Sequence, residues 1–536
     1  LPDSMARLQR LATTTTGSLP ALKHYLDGER LIRAGQYREA STSYDQAVAL
    51  DSNFALAYYR KSLVAEWIDA FDPRSSADKA FAHADRLSPR DRSLLAALRL
   101  RRHGESTAAE RAYRAHLNQW PDEVEALIQL GEIQFHDNPR RGLSMAEGIP
   151  LFQQALVLEP ANANARIHLT RLYAMFGHLD SLASNVRHFE QDAAANAARG
   201  EGDQGGERLV EVQAIQAYTV GDTAAQRRIV DGMRGQSGAY WFLVPHGVSR
   251  FARDPAGAQA MLDQRTTSGP LLDMLVSNFH AVRGQHDAFR GIVDAPPGGR
   301  TAQWDLLEAF VWTSGALAPD TARMQAVLDR LANADPAVMA QGDWVPAYED
   351  LTVAFHRFEL DYTRALLRIQ LGQVAEARRL LAAMRRMPEL PYMGALQSDV
   401  LKSLDAELLH QAGDDAGALR VLRTMTYEAP HGATYHALAD GTRSRFLRAE
   451  LELQLGDRDV ARGLYRGLDE SWSPFDMYHR PVAYQRLGEI AEADGRTADA
   501  IEWYSRLVDL WRDADPALIP ARTAIQQRRE ALRGPR

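Results

Sequence analysis

Residues 21–54 read ALKHYLDGERLIRAGQYREASTSYDQAVALDSNF. Small side chains stand at Gly28, Ala40 and Ala47 and bulky ones at Leu31, Tyr37 and Tyr44. Those intervals suit two antiparallel helices that approach closely at the small positions and fill the space between them with the large ones. The unit is about 34 residues long and recurs, with variations, along almost the whole chain. Two kinds of punctuation set its register. Gly35, Gly104 and Gly177 stand where a first helix is expected to stop, because glycine takes the left-handed conformation at little steric cost. Pro89, Pro121 and Pro160 stand beyond the second helix, which proline cannot continue.

This pattern resembles the tetratricopeptide repeat (TPR). The fold expected is therefore all-α, a TPR-type α-solenoid superhelix of about thirteen antiparallel helix pairs closed by a C-terminal capping helix. Residues 1–17 read as a linker from a preceding domain, since Thr13, Thr14, Thr15 and Thr16 favour an extended connector. An N-terminal TPR array spans 18–192, with the insertions AFDPRSS at 70–76 and HDNPRRGLS at 136–144. Residues 193–206, ending in the glycine-rich RGEGDQGG, read as a flexible loop. Degenerate TPR-like pairs follow over 207–345. Regular spacing returns in a C-terminal TPR array over 346–516, marked by Gly372 and Ala377, Gly413 and Ala418, Gly456 and Ala461, and Gly495 and Ala500. Residues 517–536 form the capping helix and tail, whose arginines at 522, 528, 529 and 533 supply a polar outer face. Because a solenoid grows by adding units to a continuous core, one elongated body is expected from the 536 residues.

The net charge of −8 comes from 70 acidic and 62 basic residues spread along the sequence, which leaves no broad basic face and makes a nucleic-acid partner unexpected. No apolar run approaches the roughly 20 residues that cross a bilayer, so no direct membrane insertion is expected. The absence of cysteine excludes disulfides, thiolate zinc sites and cysteine nucleophiles, and leaves cytoplasm and periplasm both open. Starting at Leu1 without a signal segment, the sequence reads as a processed product or a piece of something longer.

The spacings that chemistry requires are missing: there is no HExxH, Walker loop, GxSxG elbow or EF-hand loop. His168, His178 and His188 fall on a helix, a loop and a helix, so convergence on one metal is not expected. His431 and His436, beside Pro430 and Gly432, read as an inter-repeat turn. No catalytic residue, metal or cofactor is nominated.

A stack of helix pairs offers instead a concave face lined by the first helix of each pair. Its expected positions in the first two pairs hold Leu22, Tyr25, Glu29 and Ile32, then Leu56, Tyr59, Leu63 and Glu66, with Trp67 adjacent. Such an apolar groove with tyrosines suits a hydrophobic peptide or helix, unless the linker or the superhelix itself covers it. The lysine, arginine and asparagine that clamp a partner's C-terminal carboxylate in some TPR domains are replaced here by Tyr25, Glu29 and Leu63. Near the other end Glu407, His410, Glu450, Glu489 and Glu492 form an acidic stripe, suited to a cationic partner or simply to solvent. Trp472, Pro474, Phe475 and Tyr478 crowd one loop, and packing across the joint is favoured there over a ligand cage.

SLPALKHYLDGERLIRAGQYREA with NFALAYYR at the front, SRFLRAELELQLG with SPFDMYHRPVAYQRLGEI, and the terminal LVDLWRDADPAL resemble the C-terminal TPR region of large bacterial signalling proteins. There it follows a serine/threonine kinase or winged-helix regulator domain, often with a TolB-like segment between, and the threonine-rich run is the exit from that domain. The resemblance implies a sensor or docking role, and no kinase loop or DNA-reading helix accompanies it here. The function expected is a protein-protein interaction scaffold that binds a partner peptide or helix. The alternatives are a ligand-responsive regulatory sensor and a self-assembling structural or glycan-binding surface subunit.

Overall fold

Among the described residues thirteen helical hairpins follow one another, in line with the expectation of about thirteen. The computed structural model describes residues 16–33, 36–65, 73–198, 206–236, 238–267, 269–342 and 352–533, and no strand occurs among them. The first five pairs are Leu19–Arg33 with Tyr37–Leu50, Ala55–Ala65 with Pro73–Ala82, Pro89–Arg102 with Ser106–Gln119, Val124–His136 with Ile149–Leu158, and Ala163–Met175 with Leu179–Ala198. The sixth to ninth are Gly206–Val220 with Thr223–Met233, Gly238–Phe251 with Pro255–Leu262, Pro270–Val282 with His286–Asp294, and Ala302–Thr313 with Thr321–Leu331. The last four are Val353–Gln370 with Val374–Met384, Gly394–Gln411 with Asp415–Leu422, Thr442–Leu455 with Arg458–Glu470, and Arg480–Ala493 with Thr497–Leu510. Ile519–Arg533 packs on the last pair as the cap.

Local chemistry explains the hairpins. A Cβ on Gly28 would lie 2.5 Å from the Tyr44 ring, so only glycine lets the two helices of the first pair approach this closely. Ala40 and Ala47, fully buried, line the same seam. Gly104 ends its helix at φ +79° and is also pressed against Pro430, 2.6 Å from where a Cβ would stand. Pro89 opens that same helix behind Ser88, whose hydroxyl accepts from the Asp91 amide. Gly35 lies outside the described residues. So do residues 199–205 of the expected 193–206 loop, whereas 193–198 continue the helix that begins at Leu179 and another helix begins at Gly206.

The expectation of one elongated body is corrected by contacts between distant pairs. The fourth-pair insertion is a dock. The helix Arg458–Glu470 lays its backbone on it, so that a Cβ at Gly463 would stand 2.5 Å from the Gly142 carbonyl, and one at Gly467 would meet the Pro139 carbonyl. Arg140 Nη2 donates to the Ala439 carbonyl at 2.8 Å, the Ser144 hydroxyl to Glu470 at 2.9 Å, and Arg253 Nη2 to Asp469 at 2.7 Å. Farther along, the Asp515 amide donates to the Gly284 carbonyl at 3.0 Å. The superhelix thus returns on itself, with its C-terminal pairs seated against the third to ninth pairs.

Candidate interaction surface

Amphipathic helices in an open array keep one polar face for solvent. In the middle of this chain that face is gone: residues 126–135, 165–175, 272–279 and 307–313, all on first helices, are buried without a break. Against these helices lies the chain's own segment 471–480, SWSPFDMYHR, which joins the twelfth and thirteenth pairs: Trp472 meets His136 and Arg171, Pro474 and Tyr478 meet Asn278, and Phe475 meets Phe310.

The segment leaves the preceding helix at Ser471, turns at Pro474 and Phe475 and continues as the 3-10 helix Asp476–His479. Three consecutive carbonyls accept from three side chains of the seventh and eighth pairs: Trp472 from His246 Nε2 at 3.1 Å, Ser473 from Arg250 Nη2 at 2.5 Å, and Pro474 from Asn278 Nδ2 at 3.5 Å. Its aromatic side chains fill pockets on successive first helices. Trp472 stacks on Phe251 at 5.6 Å under the Arg171 guanidinium at 4.7 Å, Phe475 meets Phe310 edge-on at 5.3 Å, and the Tyr478 hydroxyl donates to Asn278. His479 Nε2 donates to the Ser314 carbonyl at 3.0 Å, and Asp476 receives Arg445 at 2.6 Å and Thr442 at 2.7 Å.

This seat is dry and charged, and it shifts its titratable groups. Burial, reinforced by Arg250, pushes His246 down to about 3, and burial with nearby Arg443 and Arg445 takes His479 down to about 3 as well. Burial and the neighbouring Arg480 lower the Arg250 guanidinium to about 9. Burial alone would raise Asp469, but Arg253, Arg480 and Arg506 hold its carboxyl well below the usual range.

The residues singled out from sequence lie at the two ends of this surface. Tyr25 (6% exposed) and Tyr59 (1%) belong to the hairpin core, with Tyr25 packed on Tyr44 and Phe54 at 5.9 and 5.2 Å. Leu22 and Leu56 are buried beside them, Leu63 is half-buried, and Glu66 and Trp67 lie outside the described residues. Glu29 accepts from the Tyr44 hydroxyl at 2.7 Å and pairs with Arg60 at 3.0 Å. The acidic stripe carries its own counter-ions. Glu407, Glu450 and Glu492 each meet an arginine 36 residues downstream, namely Arg443, Arg486 and Arg528, and Glu489 pairs with Arg486 at 3.0 Å. Trp472, Pro474, Phe475 and Tyr478 do pack, but into helices from the middle of the chain rather than across their own joint.

Sequence reading missed His246, Arg250 and Asn278, because the middle pairs depart most from the repeat and their concave positions could not be placed in register. The unspent signal was the aromatic loop itself. Two histidine–carboxylate clusters also emerge. His168 turns to Glu132 at 3.4 Å, and Glu132 to His136 at 3.3 Å, whereas His188 bonds the Ser184 carbonyl. His356 and His436 meet on Glu359.

Residues 94–138 and 446–517, covering much of the third, fourth, twelfth and thirteenth pairs, match the family model described as tetratricopeptide repeat. No curated protein matches the chain. Among solved structures it is similar to the APC/C hetero-tetramer Cut9–Hcn1, at 11% identity over 98% of this chain and 85% of that one, with a TM-score of 0.33. It is also similar to yeast Tom70, at 13% identity over 96% of this chain and 95% of that one, with a TM-score of 0.27. The TPR domain of P58(IPK) matches at 13% identity over 88% of this chain and 98% of that one, with a TM-score of 0.17. The chain thus carries tetratricopeptide repeats in an all-α superhelix, an architecture that builds protein-binding surfaces. No described helix is long and apolar enough to cross a membrane.

Proposed function

We propose that the protein is a docking scaffold whose concave face binds an aromatic-rich peptide, and that segment 471–480 holds that place until a partner displaces it. The observation that carries this reading is the clamp on three consecutive carbonyls by His246, Arg250 and Asn278. Recognition through carbonyls is independent of side-chain identity, while the Trp472, Phe475 and Tyr478 pockets choose the side chains. The resemblance of the two ends to bacterial signalling proteins supports a role as the docking part of such a protein, next to a kinase or regulator domain.

The test uses a labelled peptide of sequence SWSPFDMYHR with the wild-type chain and with Phe475→Ala, which weakens the internal competitor. Anisotropy should show binding to the variant at least tenfold tighter than to the wild type. If Phe475→Ala keeps wild-type helicity and binds the peptide no better, the displacement reading is wrong.

A further inference from the structure

We propose that His356, Glu359 and His436 form a binding site for one divalent transition-metal ion of the zinc class, which pins the tenth pair to the segment that leads into the twelfth. His356 and Glu359 lie one turn apart on the helix Val353–Gln370, and His436 caps the short helix Ala437–Asp440, 77 residues from Glu359. His356 Nδ1 stands 3.2 Å from one Glu359 oxygen and His436 Nδ1 stands 2.9 Å from the other. The three ligand atoms lie within 4.8 Å of one another. Donors about 2.0–2.2 Å from a tetrahedral zinc ion are roughly 3.4 Å apart, so this set needs only a small adjustment to receive one. Two imidazoles and one carboxylate suit zinc, cobalt or nickel rather than calcium or magnesium, which prefer oxygen.

Charge is the second argument. A buried carboxylate needs a counter-charge, and the only ion-pair partners of Glu359 among the described residues are the two imidazoles. The cluster at Glu132 differs here: Arg101 Nη2 stands 3.7 Å from that carboxylate and Arg171 lies near His168, so protein cations already supply the charge and would repel a metal. Around Glu359 the walls are apolar, with Phe355 edge-on to His436 at 5.2 Å and Phe358 and Leu438 in the same core cluster. Three protein ligands leave the fourth tetrahedral position to a water, and the apolar shell shields the ion from bulk solvent. The benefit extends to the internal segment, because Asp440, four residues past His436, shares Thr442 and Arg445 with Asp476.

The test titrates the chelator-treated full chain with Zn2+ by calorimetry and with Co2+ by absorption. One tight equivalent is expected, with the intense visible bands of tetrahedral cobalt. Glu359→Gln and His436→Gln should each weaken it at least a hundredfold, while His168→Gln leaves it unchanged. No tight equivalent in the wild type overturns the proposal, as does one that survives Glu359→Gln or is lost only in His168→Gln. Should the variants at Glu359 and His436 lose helicity, hydrogen exchange of the wild type decides. Zn2+ must slow exchange of amides 355–360 and 436–440, and unchanged exchange there overturns the proposal.

Discussion

The first and twelfth pairs are built alike, and the middle pairs are not. In the first, the Tyr44 hydroxyl donates to Glu29, and Arg60 of the next pair pairs with the same carboxylate. In the twelfth, Tyr465 donates to Glu450 at 2.5 Å, and Arg486 of the next pair bridges to it. The tyrosine follows the glutamate by 15 residues in both. In the seventh and eighth pairs the corresponding face carries His246, Arg250 and Asn278, which reach the internal segment rather than a neighbouring repeat. The repeat pattern therefore reports how a hairpin closes, and the departures from it report what the concave face holds.

The contrast breaks most readily at the segment's aromatic anchors. Phe475→Ala with Tyr478→Ala should empty the concave face of the eighth and ninth pairs, at about 3–5 kcal/mol for each buried ring lost. Hydrogen exchange should then show amides 270–313 losing protection while 19–65 keep theirs. Equal loss in both regions would mean that the middle pairs depend on the segment no more than the first pair does.

Acid should act on the same region. His246 and His479 are held neutral in the fold at about 3, against about 6.5 when unfolded, so the unfolded chain binds their protons first as the pH falls. Their stability contribution is complete above about pH 6.5 and is lost progressively toward pH 3. At pH 5 the loss is about 2 kcal/mol for each. Between pH 7 and pH 5 the wild type should therefore lose about 2 kcal/mol more stability than His246→Gln, read from urea unfolding of both. Equal losses in the two proteins would put the His246 imidazole in water rather than in the seat described.

The hairpins were legible because their determinants are local. Gly28 facing Tyr44 and Gly104 at positive φ act within one repeat, at a spacing that sequence displays directly. The thirteen pairs and the capping helix could be counted for that reason. The return of the superhelix was not legible, since Gly463 and Gly467 look like ordinary helix glycines until the Pro139–Gly142 turn is set against them. The same holds for the concave face. Tyr25 and Tyr59 occupy expected concave positions, yet in so tight a coil the first helices pack on neighbours as well as on their own partners, and the rings end in the core. Glu407, Glu450 and Glu492 read as an acidic stripe because their arginines sit 36 residues away.

The smallest effect expected separates the two kinds of arginine. Arg486 and Glu450 keep 33% and 29% of their side-chain surface in water, where an ion pair contributes about 0.2–1 kcal/mol. Arg250 is fully buried, and removing it leaves the Ser473 carbonyl without its donor, a loss of about 1–3 kcal/mol. Arg486→Gln should therefore shift the urea midpoint slightly, and the shift should shrink further in high salt, which screens exposed charges. Arg250→Gln should shift it more and be insensitive to salt. Equal, salt-dependent shifts would make the two arginines the same kind of contact, and the middle of the array would then be one more set of hairpins rather than a seat built around a segment.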